Sequence, residues 1–276
     1  MTAAAPPNAE PVNFEALVAG PDETLDLARI ALAIARDAHP DLDPDACLAR
    51  LDAMATAVRE SLDQGASIEE RLAALDRQLF DIEGFAGNED AYYDPRNSFL
   101  NEVLERRIGI PITLCVIYLE VGWRLALPLV PVSFPAHFLV AATGAHRVFI
   151  DPFNRGERLD EDDLAQRLVP VLGAGLEEAR AFLPQAIRAT PRREVAARML
   201  RNLKAIYASQ RELQRLLTVS NRMIALNSED AEAVRDRGHV LAGLECHRAA
   251  YEDYLHYLRL APGASDAADV AAQAER

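Results

Sequence analysis

Residues 25–79 carry apolar positions at helical spacing, and this pattern predicts three successive amphipathic helices. The three apolar stripes comprise Leu25, Ala28, Leu32 and Ala35, then Leu48, Leu51, Met54 and Val58, then Leu72, Leu75 and Leu79. Asp43 followed by Pro44 is typical of an N-cap residue and the first helical position. Ser67 and Glu70 have the spacing of a capping box. The pattern indicates a layer of packed helices without candidate chemistry.

The segment from Pro111 to about Leu125 predicts a central buried helix. Residues 85–99 break the helical pattern with Gly, Asn, Asp and Pro, which indicates an ordered loop before a short helix near residues 98–107. Pro111 suits the first turn of a helix, because an N–H group has no helical partner there. The positions that follow are apolar on nearly every side, as expected of a helix enclosed by the rest of the fold.

Three β-strands are predicted after this helix. They correspond to LVPVSF (129–134), AHFLVAA (136–142) and HRVFID (146–151), and Gly144 supplies a turn between the last two. Helix resumes near Asp160. A central helix followed by antiparallel strands and further helices predicts a mostly helical α+β fold, with the helix packed on a small sheet.

The last third of the chain is helical and contains a repeat. Gly238, Ala250, Tyr254 and Pro262 occupy the small, small, aromatic and proline positions of the tetratricopeptide pattern. The preceding copy, 197–228, matches only weakly. Two units are fewer than the three that an independent solenoid usually needs, so we expect them to pack on the preceding domain.

These patterns divide the chain into four regions. We predict a flexible tail rich in Pro and Ala over residues 1–13 and an N-terminal helical region over 14–96. The core of central helix and sheet is predicted over 97–170, and the C-terminal tetratricopeptide-like helices over 171–276.

Composition narrows the function classes. The chain has 276 residues, half of them apolar, and a net charge of -14, which argues against binding to nucleic acid or to anionic membranes. No apolar run reaches the roughly 20 residues that span a bilayer, and the N-terminus lacks the pattern of a signal peptide. The three cysteines have no CxxC spacing, so neither a disulfide framework nor a zinc site is predicted. We expect a cytoplasmic protein without metal or cofactor, and the sequence leaves its oligomeric state open.

Cys115, His137 and Asp151 are the candidate catalytic residues. A cysteine nucleophile needs a base to accept its proton, and the base needs a third group to orient it. His137 and Asp151 are predicted on adjacent strands joined by the turn at Gly144, so their side chains can meet across the pair. The three residues together predict a Cys-His-Asp triad.

Each of these residues also has a structural interpretation. Cys115 falls in the second turn of the central helix among apolar neighbours, where burial opposes thiolate formation, and a buried core cysteine is common. His137 can be a buried, hydrogen-bonded imidazole. Asp151 precedes Pro152 and can serve as a turn residue where the strand ends.

A basic stretch runs through residues 188–204 of this acidic chain. It contains Arg188, Arg192, Arg193, Arg198, Arg201 and Lys204. The pattern favours a solvated helix face that pairs with acidic neighbours, and a partner-binding patch is the alternative.

The motif VLERRIGIPITLCVIYLEVGWRLALPLVPVSFPAHFLV followed by FIDPFN resembles the bacterial SirB family. Members have a transglutaminase-like core and a tetratricopeptide-type tail. The resemblance implies that His137 and Asp151 match the His and Asp of transglutaminase-like enzymes, which act on amide bonds through a thioester. It places the cysteine of those enzymes near Pro111, one helical turn before Cys115.

Two hypotheses follow. In the first, the protein is non-catalytic or degenerate and binds other proteins through its cleft and helical tail, which would suit a regulatory role. In the second, it is a cysteine-dependent amide hydrolase or acyl transferase, with Cys115 as nucleophile, His137 as base and Asp151 as orienter.

Overall fold

A computed structural model describes residues 13–144 and 147–275 of the protein. The helices of these residues are α1 (Phe14–Val18), α2 (Leu27–Arg36), α3 (Pro44–Glu60), α4 (Ile68–Asp76), α5 (Leu100–Arg106), α6 (Pro111–Arg124), α7 (Glu161–Leu172), α8 (Leu176–Ala186), α9 (Arg192–Gln210), α10 (Leu213–Leu226), α11 (Ala231–Gly243), α12 (His247–Leu260) and α13 (Ala267–Ala274). The predicted tail falls outside the described residues except for Asn13, whose side chain caps α1.

The strands are short, and the four longest form one antiparallel sheet. They are β1 (Ala86–Gly87), β2 (Ile108–Gly109), β3 (Leu129–Val132), β4 (Leu139–Ala142), β5 (Val148–Asp151) and β6 (Glu157–Leu159). Strands β3, β4, β5 and β6 pair in sequence order, and Val140 lies opposite Ile150 in the β4–β5 register. Strands β1 and β2 form a separate two-residue parallel pair.

The predicted helix starts of the N-terminal layer are confirmed. The Asp43 carboxylate accepts hydrogen bonds from the N–H groups of Asp45 and Ala46 at the start of α3. Ser67 and Glu70 form the predicted capping box at the start of α4. Helix α4 then continues as a π-helix over Arg77–Ile82.

Helix α6 is the centre of the fold, as predicted. Its residues from Pro111 to Gly122 are all buried. It contacts helices α3, α4, α5 and α9 as well as strands β3 and β4. The apolar surface on nearly every side of this helix is thus covered by helices on one side and by the sheet on the other.

The sheet is buried on both faces. Phe138, Val140 and Ile150 belong to the large core that contains α6. Leu139 and Phe149 point the opposite way, into a second core with α7 and α8. This alternation along the strands explains why β4 is apolar at every position, and it places the sheet between two helical layers. The α+β fold class is confirmed.

Each of the C-terminal helices α9 to α12 packs against the next helix along the chain. Gly238 of α11 faces the ring of Tyr254 on α12, and a Cβ atom at Gly238 would lie 2.8 Å from that ring. Two of the residues that carry the tetratricopeptide pattern therefore form the close contact between α11 and α12.

Two buried or partly buried carboxylates join distant parts of the chain by capping helices. Asp22 accepts hydrogen bonds at 2.8 Å from the N–H groups of both Arg192 and Arg193, at the start of α9. Glu120 of α6 accepts one at 3.0 Å from the N–H of Ala28, in the first turn of α2. These contacts fix the N-terminal helices against the centre and the C-terminal region.

The sequence placed His137 in a strand, and this expectation is wrong. His137 lies in the turn between β3 and β4, two residues before β4 begins. The turn forms because Ala136 adopts a left-handed conformation (φ 59°) and the N–H of His137 bonds to the carbonyl of Phe134 at 3.0 Å.

Candidate functional site

Two of the three candidate residues meet at one end of the two central strands of the sheet, β4 and β5. His137 precedes β4 and Asp151 ends β5, and antiparallel pairing of these strands brings the two side chains together. The Nε2 atom of His137 lies 2.9 Å from each carboxylate oxygen of Asp151. The Asp151 side chain is fully buried, whereas 20% of the His137 side chain is exposed. The imidazole is therefore held from its buried side.

Nδ1 is the ring nitrogen of His137 that takes no part in this contact. Nε2 faces a carboxylate and so carries the hydrogen of that bond. The ring of Phe153 packs edge-on against the imidazole, with 5.9 Å between ring centroids. Phe153 in turn lies against Gly87, where any Cβ atom would come within 2.6 Å of its ring. Gly87 thus makes room for the ring that positions His137.

Asp151 is held by several donors besides His137. Arg167 donates from Nη1 to Oδ2 at 2.8 Å, and Asn154 donates from Nδ2 to Oδ2 at 2.8 Å. Burial alone would raise the pKa of Asp151, but the hydrogen bond and charge of His137, aided by hydrogen bonds from Arg167 and Asn154, lower it to about 2. The Asp151 carboxylate is therefore ionised at neutral pH.

The side chain of Cys115 points to the backbone beside the β3–β4 turn that contains His137. This side chain is fully buried, and Sγ donates a hydrogen bond to the carbonyl of Phe138 at 3.3 Å. Within the described residues no hydrogen bond joins Sγ to the His137 ring. Burial raises the pKa of the Cys115 thiol well above its ordinary value, and the negative charge of Asp151 raises it further. The surroundings of Cys115 therefore favour the thiol over the thiolate.

Pro111 occupies the first position of α6. This is where the resemblance to transglutaminase-like enzymes places their cysteine, and proline has no side-chain nucleophile. Thr113 follows in the first turn, but its hydroxyl is fully buried and donates to the carbonyl of Asn97 at 2.7 Å. The start of α6 is thus closed by internal hydrogen bonds.

Arg167 and Asn154 were not among the residues singled out from the sequence. Asn154 comes three residues after Asp151. The sequence signal that could have indicated its role is the presence of an Asx residue in a turn. Arg167 lies on α7, where it also pairs with Glu157 at 2.7 Å. Its position between the buried Leu164 and Leu168 gives no local sign of a link to Asp151.

Two further findings concern residues 13–144 and 147–275. No three His, Cys, Asp or Glu side chains there form a group that could hold a metal ion. No helix of these residues is long and apolar enough to cross a membrane.

The fold and the His137–Asp151 pair define a transglutaminase-like protein with a helical repeat tail, and comparison with known proteins agrees. Residues 45–201 match the family described as transglutaminase-like superfamily, and residues 203–275 match the tetratricopeptide repeat. The predicted tetratricopeptide-like character of the tail is thereby confirmed. The predicted region boundary at residues 170 and 171 stays a prediction.

Several bacterial proteins are similar over most of their length. A UPF0162 protein of Xylella fastidiosa (strain 9a5c) is 41% identical over 242 residues, which cover 87% of this chain and 86% of the relative. Protein SirB1 of Salmonella typhimurium is 31% identical over 214 residues, which cover 77% and 78%. UPF0162 protein YchA of Escherichia coli (strain K12) is 30% identical over the same length. The chain belongs to this SirB1 and UPF0162 family, as its core motif predicts.

Proposed function

We propose that this protein is a non-catalytic member of the transglutaminase-like fold that binds other proteins in the cytoplasm. The surface around His137 and the tetratricopeptide-type helices would be its contact regions. Tetratricopeptide arrays provide extended concave surfaces of the kind that bind proteins, which supports this choice.

The hydrogen bond from Cys115 to the carbonyl of Phe138 carries the proposal. A thioester mechanism needs a thiolate next to a base, and the thiolate has no hydrogen to donate to a carbonyl. Breaking the Phe138 contact and ionising a fully buried sulfur would both cost free energy. Pro111 at the start of α6 cannot replace the missing nucleophile.

The geometry of His137 and Asp151 favours one alternative, a cysteine-dependent hydrolase or acyl transferase. The two side chains are at hydrogen-bonding distance, so the carboxylate can orient the imidazole as the third member of a triad does. In our account the same geometry is structural: it holds the β3–β4 turn and shapes the surface beside it. The two functions differ in how Cys115 reacts.

Alkylation of the three cysteines distinguishes these functions within one sample. The native protein is treated with iodoacetamide at neutral pH, and the modified fraction of Cys47, Cys115 and Cys246 is followed by peptide mass spectrometry. Cys246 is exposed and serves as the internal reference, and Cys47 is a second buried thiol. We expect Cys115 to react at least ~100-fold more slowly than Cys246, as a buried thiol does.

The variant His137→Ala completes the experiment. If His137 has no part in activating Cys115, the variant leaves the low rate unchanged or raises it slightly by opening the turn. A Cys115 that reacts faster than Cys246, and loses that rate in His137→Ala, would establish the enzyme hypothesis instead.

A further inference from the structure

Among the described residues, the basic side chains of α9 have three kinds of partner: carboxylates, backbone carbonyls and, for Arg198, a hydroxyl. Arg192 and Arg193 donate to backbone carbonyls of the N-terminal region, among them Val18 and Gly20, and so are structural. Arg201 pairs with Glu194 and Lys204 with Asp236. Arg201 and Lys204 thus agree with the interpretation of the stretch as a face that pairs with acidic neighbours, whereas Arg192 and Arg193 do not.

Arg198 differs from them. Its guanidinium is partly buried, and Nη1 donates to the Ser133 hydroxyl at 3.2 Å. No carboxylate of residues 13–144 or 147–275 lies within ion-pair distance of it. Burial and the nearby Arg201 lower the pKa of the Arg198 guanidinium, and the charges of Tyr92 and Glu194 oppose this only in part. Arg198 is thus a partly desolvated cation without a carboxylate in direct contact. An incoming carboxylate would supply that contact.

Two tyrosines extend the surface around Arg198. Tyr93 is 76% exposed and Tyr92 is 39% exposed, and their rings meet edge to face with centroids 5.3 Å apart. Helix α9, which carries Arg198, packs against the helical turn Pro95–Ser98 that follows the two tyrosines. Burial raises the pKa of the Tyr92 phenol, and the positive charge of Arg198 opposes this. Exposed tyrosines next to an arginine are the residue types enriched at protein–protein contacts.

Buried hydrogen bonds hold these residues in place. The fully buried Asn97 donates from its amide nitrogen to the carbonyl of Ala91 at 2.7 Å and also to that of Tyr92. On the other side of Arg198, the N–H of Ser133 donates to the Thr190 hydroxyl at 2.7 Å. Ser133 directly precedes the turn that contains His137. The surface is therefore preorganised.

We propose that the surface formed by Arg198, Ser133, Tyr92 and Tyr93 binds a segment of a partner protein through an Asp or Glu carboxylate. The proposal rests on the proposed function and adds the chemistry of the partner. The carboxylate would form a charge-assisted pair with Arg198, and an apolar or aromatic side chain next to it in the segment would pack on the tyrosines.

The charge of the protein favours a peptide over a nucleic acid as the occupant. Nucleic acid binding relies on several basic groups that each neutralise a phosphate, whereas this surface offers one unpaired arginine on a chain with net charge -14. A single carboxylate matches that number. The rest of the partner then needs no further negative charge.

A random peptide library tests the proposal and needs no identified partner. Phage displaying random dodecapeptides are selected on the full-length wild-type chain, and enriched peptides are synthesised and measured by fluorescence anisotropy. We expect an Asp or Glu in the enriched peptides, at least ~10-fold weaker binding to Arg198→Gln, and a similar loss when that acid is replaced by its amide.

Arg248→Gln is the control, because Arg248 lies on α12 and is 93% exposed and paired with Glu252. Its affinity for the peptides should stay within ~2-fold of wild type. Tyr93→Ala removes an exposed ring and should weaken binding by ~3-fold or more, even if Arg198→Gln fails to fold.

Four results would overturn the proposal. The selection enriches no peptides, the enriched peptides lack carboxylates, or they bind wild type and Arg198→Gln equally. In the fourth, an oligouridylate displaces the peptides and this displacement depends on Arg198. Equal binding to both proteins would leave the proposed function standing, because the peptides would then use another surface. Rapid, His137-dependent alkylation of Cys115 would instead remove the proposed function, whatever the peptides do.

Discussion

The thiol of Cys115 donates a hydrogen bond to the backbone carbonyl of Phe138, 3.3 Å away. Phe138 directly follows His137, so the cysteine and the imidazole meet at the same turn but in different roles. The sulfur secures the backbone of the turn from the buried side, and the imidazole lies at its partly exposed side. This division underlies the interpretation of Cys115 as a core residue.

Removing the thiol should therefore affect stability. We expect Cys115→Ala to lower the free energy of unfolding by about 1–2 kcal/mol, because it leaves a small cavity and an unpaired carbonyl. Cys115→Ser should lose less stability than Cys115→Ala, since its hydroxyl can donate to the same carbonyl. Urea unfolding measures the change, and Cys246→Ala, an exposed change, should stay within about 0.5 kcal/mol of wild type. Equal stabilities of the two alanine variants would argue against a structural role for Cys115.

Asp151 should make the protein less stable in acid. Its pKa in the folded state, about 2, lies below the ordinary value near 4. The ionised carboxylate therefore stabilises the fold fully above that ordinary value, and the contribution, about 2 kcal/mol, is lost as the pH falls toward 2. Asp151→Asn has no such proton to take up, so its stability should fall less steeply between about pH 5 and about pH 2.5.

Arg167→Gln provides the comparison for this acid transition. Without the hydrogen bond from Arg167, the pKa of Asp151 in the folded state should rise toward its ordinary value, so the variant should lose less stability than wild type between about pH 5 and about pH 2.5. Urea unfolding at a series of pH values measures all three proteins. Coincident pH profiles for wild type, Asp151→Asn and Arg167→Gln would show that Asp151 contributes no such linkage.

Asp22→Ala should weaken the attachment of α9 to the N-terminal region. The variant leaves the N–H groups of Arg192 and Arg193 without their carboxylate, and loss of a helix cap typically costs about 1–2 kcal/mol. Hydrogen exchange at the first turn of α9 should accelerate in the same variant. Glu23→Ala, which changes the exposed neighbour, is the control. Unchanged exchange in Asp22→Ala would mean that the cap contributes nothing in solution.

Gly238→Ala should destabilise the tetratricopeptide-type region. The new methyl group would meet the buried Tyr254 ring at 2.8 Å, and overpacking of this kind costs about 1–3 kcal/mol. Gly263→Ala places a methyl group where no atom lies within 4 Å, so its thermal unfolding should match that of wild type. If both variants melt alike, the contact between α11 and α12 is looser than described.

Local signals in the sequence predict the helix starts and the order of strands well. Asp43, Ser67 and Pro111 mark their helices through interactions with residues three or fewer positions away. The meeting of His137 with Asp151 also follows from the sequence, because antiparallel strands joined by a turn bring their ends together. Such features depend on short stretches of chain.

Features set by distant parts of the chain could not be predicted in this way. Arg167 reaches Asp151 from a helix on the far side of the sheet edge, and Asp22 caps a helix that begins 170 residues later. The direction of the Cys115 thiol depends on how α6 packs against the β3–β4 turn. A helical pattern shows that Cys115 is buried but does not show which atom accepts its hydrogen.

The pH profile of Cys115 alkylation tests the central claim most directly. In wild type and His137→Ala, the rate of iodoacetamide modification is measured from about pH 6 to about pH 9, since the thiolate is the reacting form. Because burial raises the pKa of this thiol, we predict slow modification whose rate increases through the whole range, with similar profiles in both proteins. A plateau near neutral pH in wild type that disappears in His137→Ala would contradict the claim, since it would reveal a thiolate maintained by the imidazole.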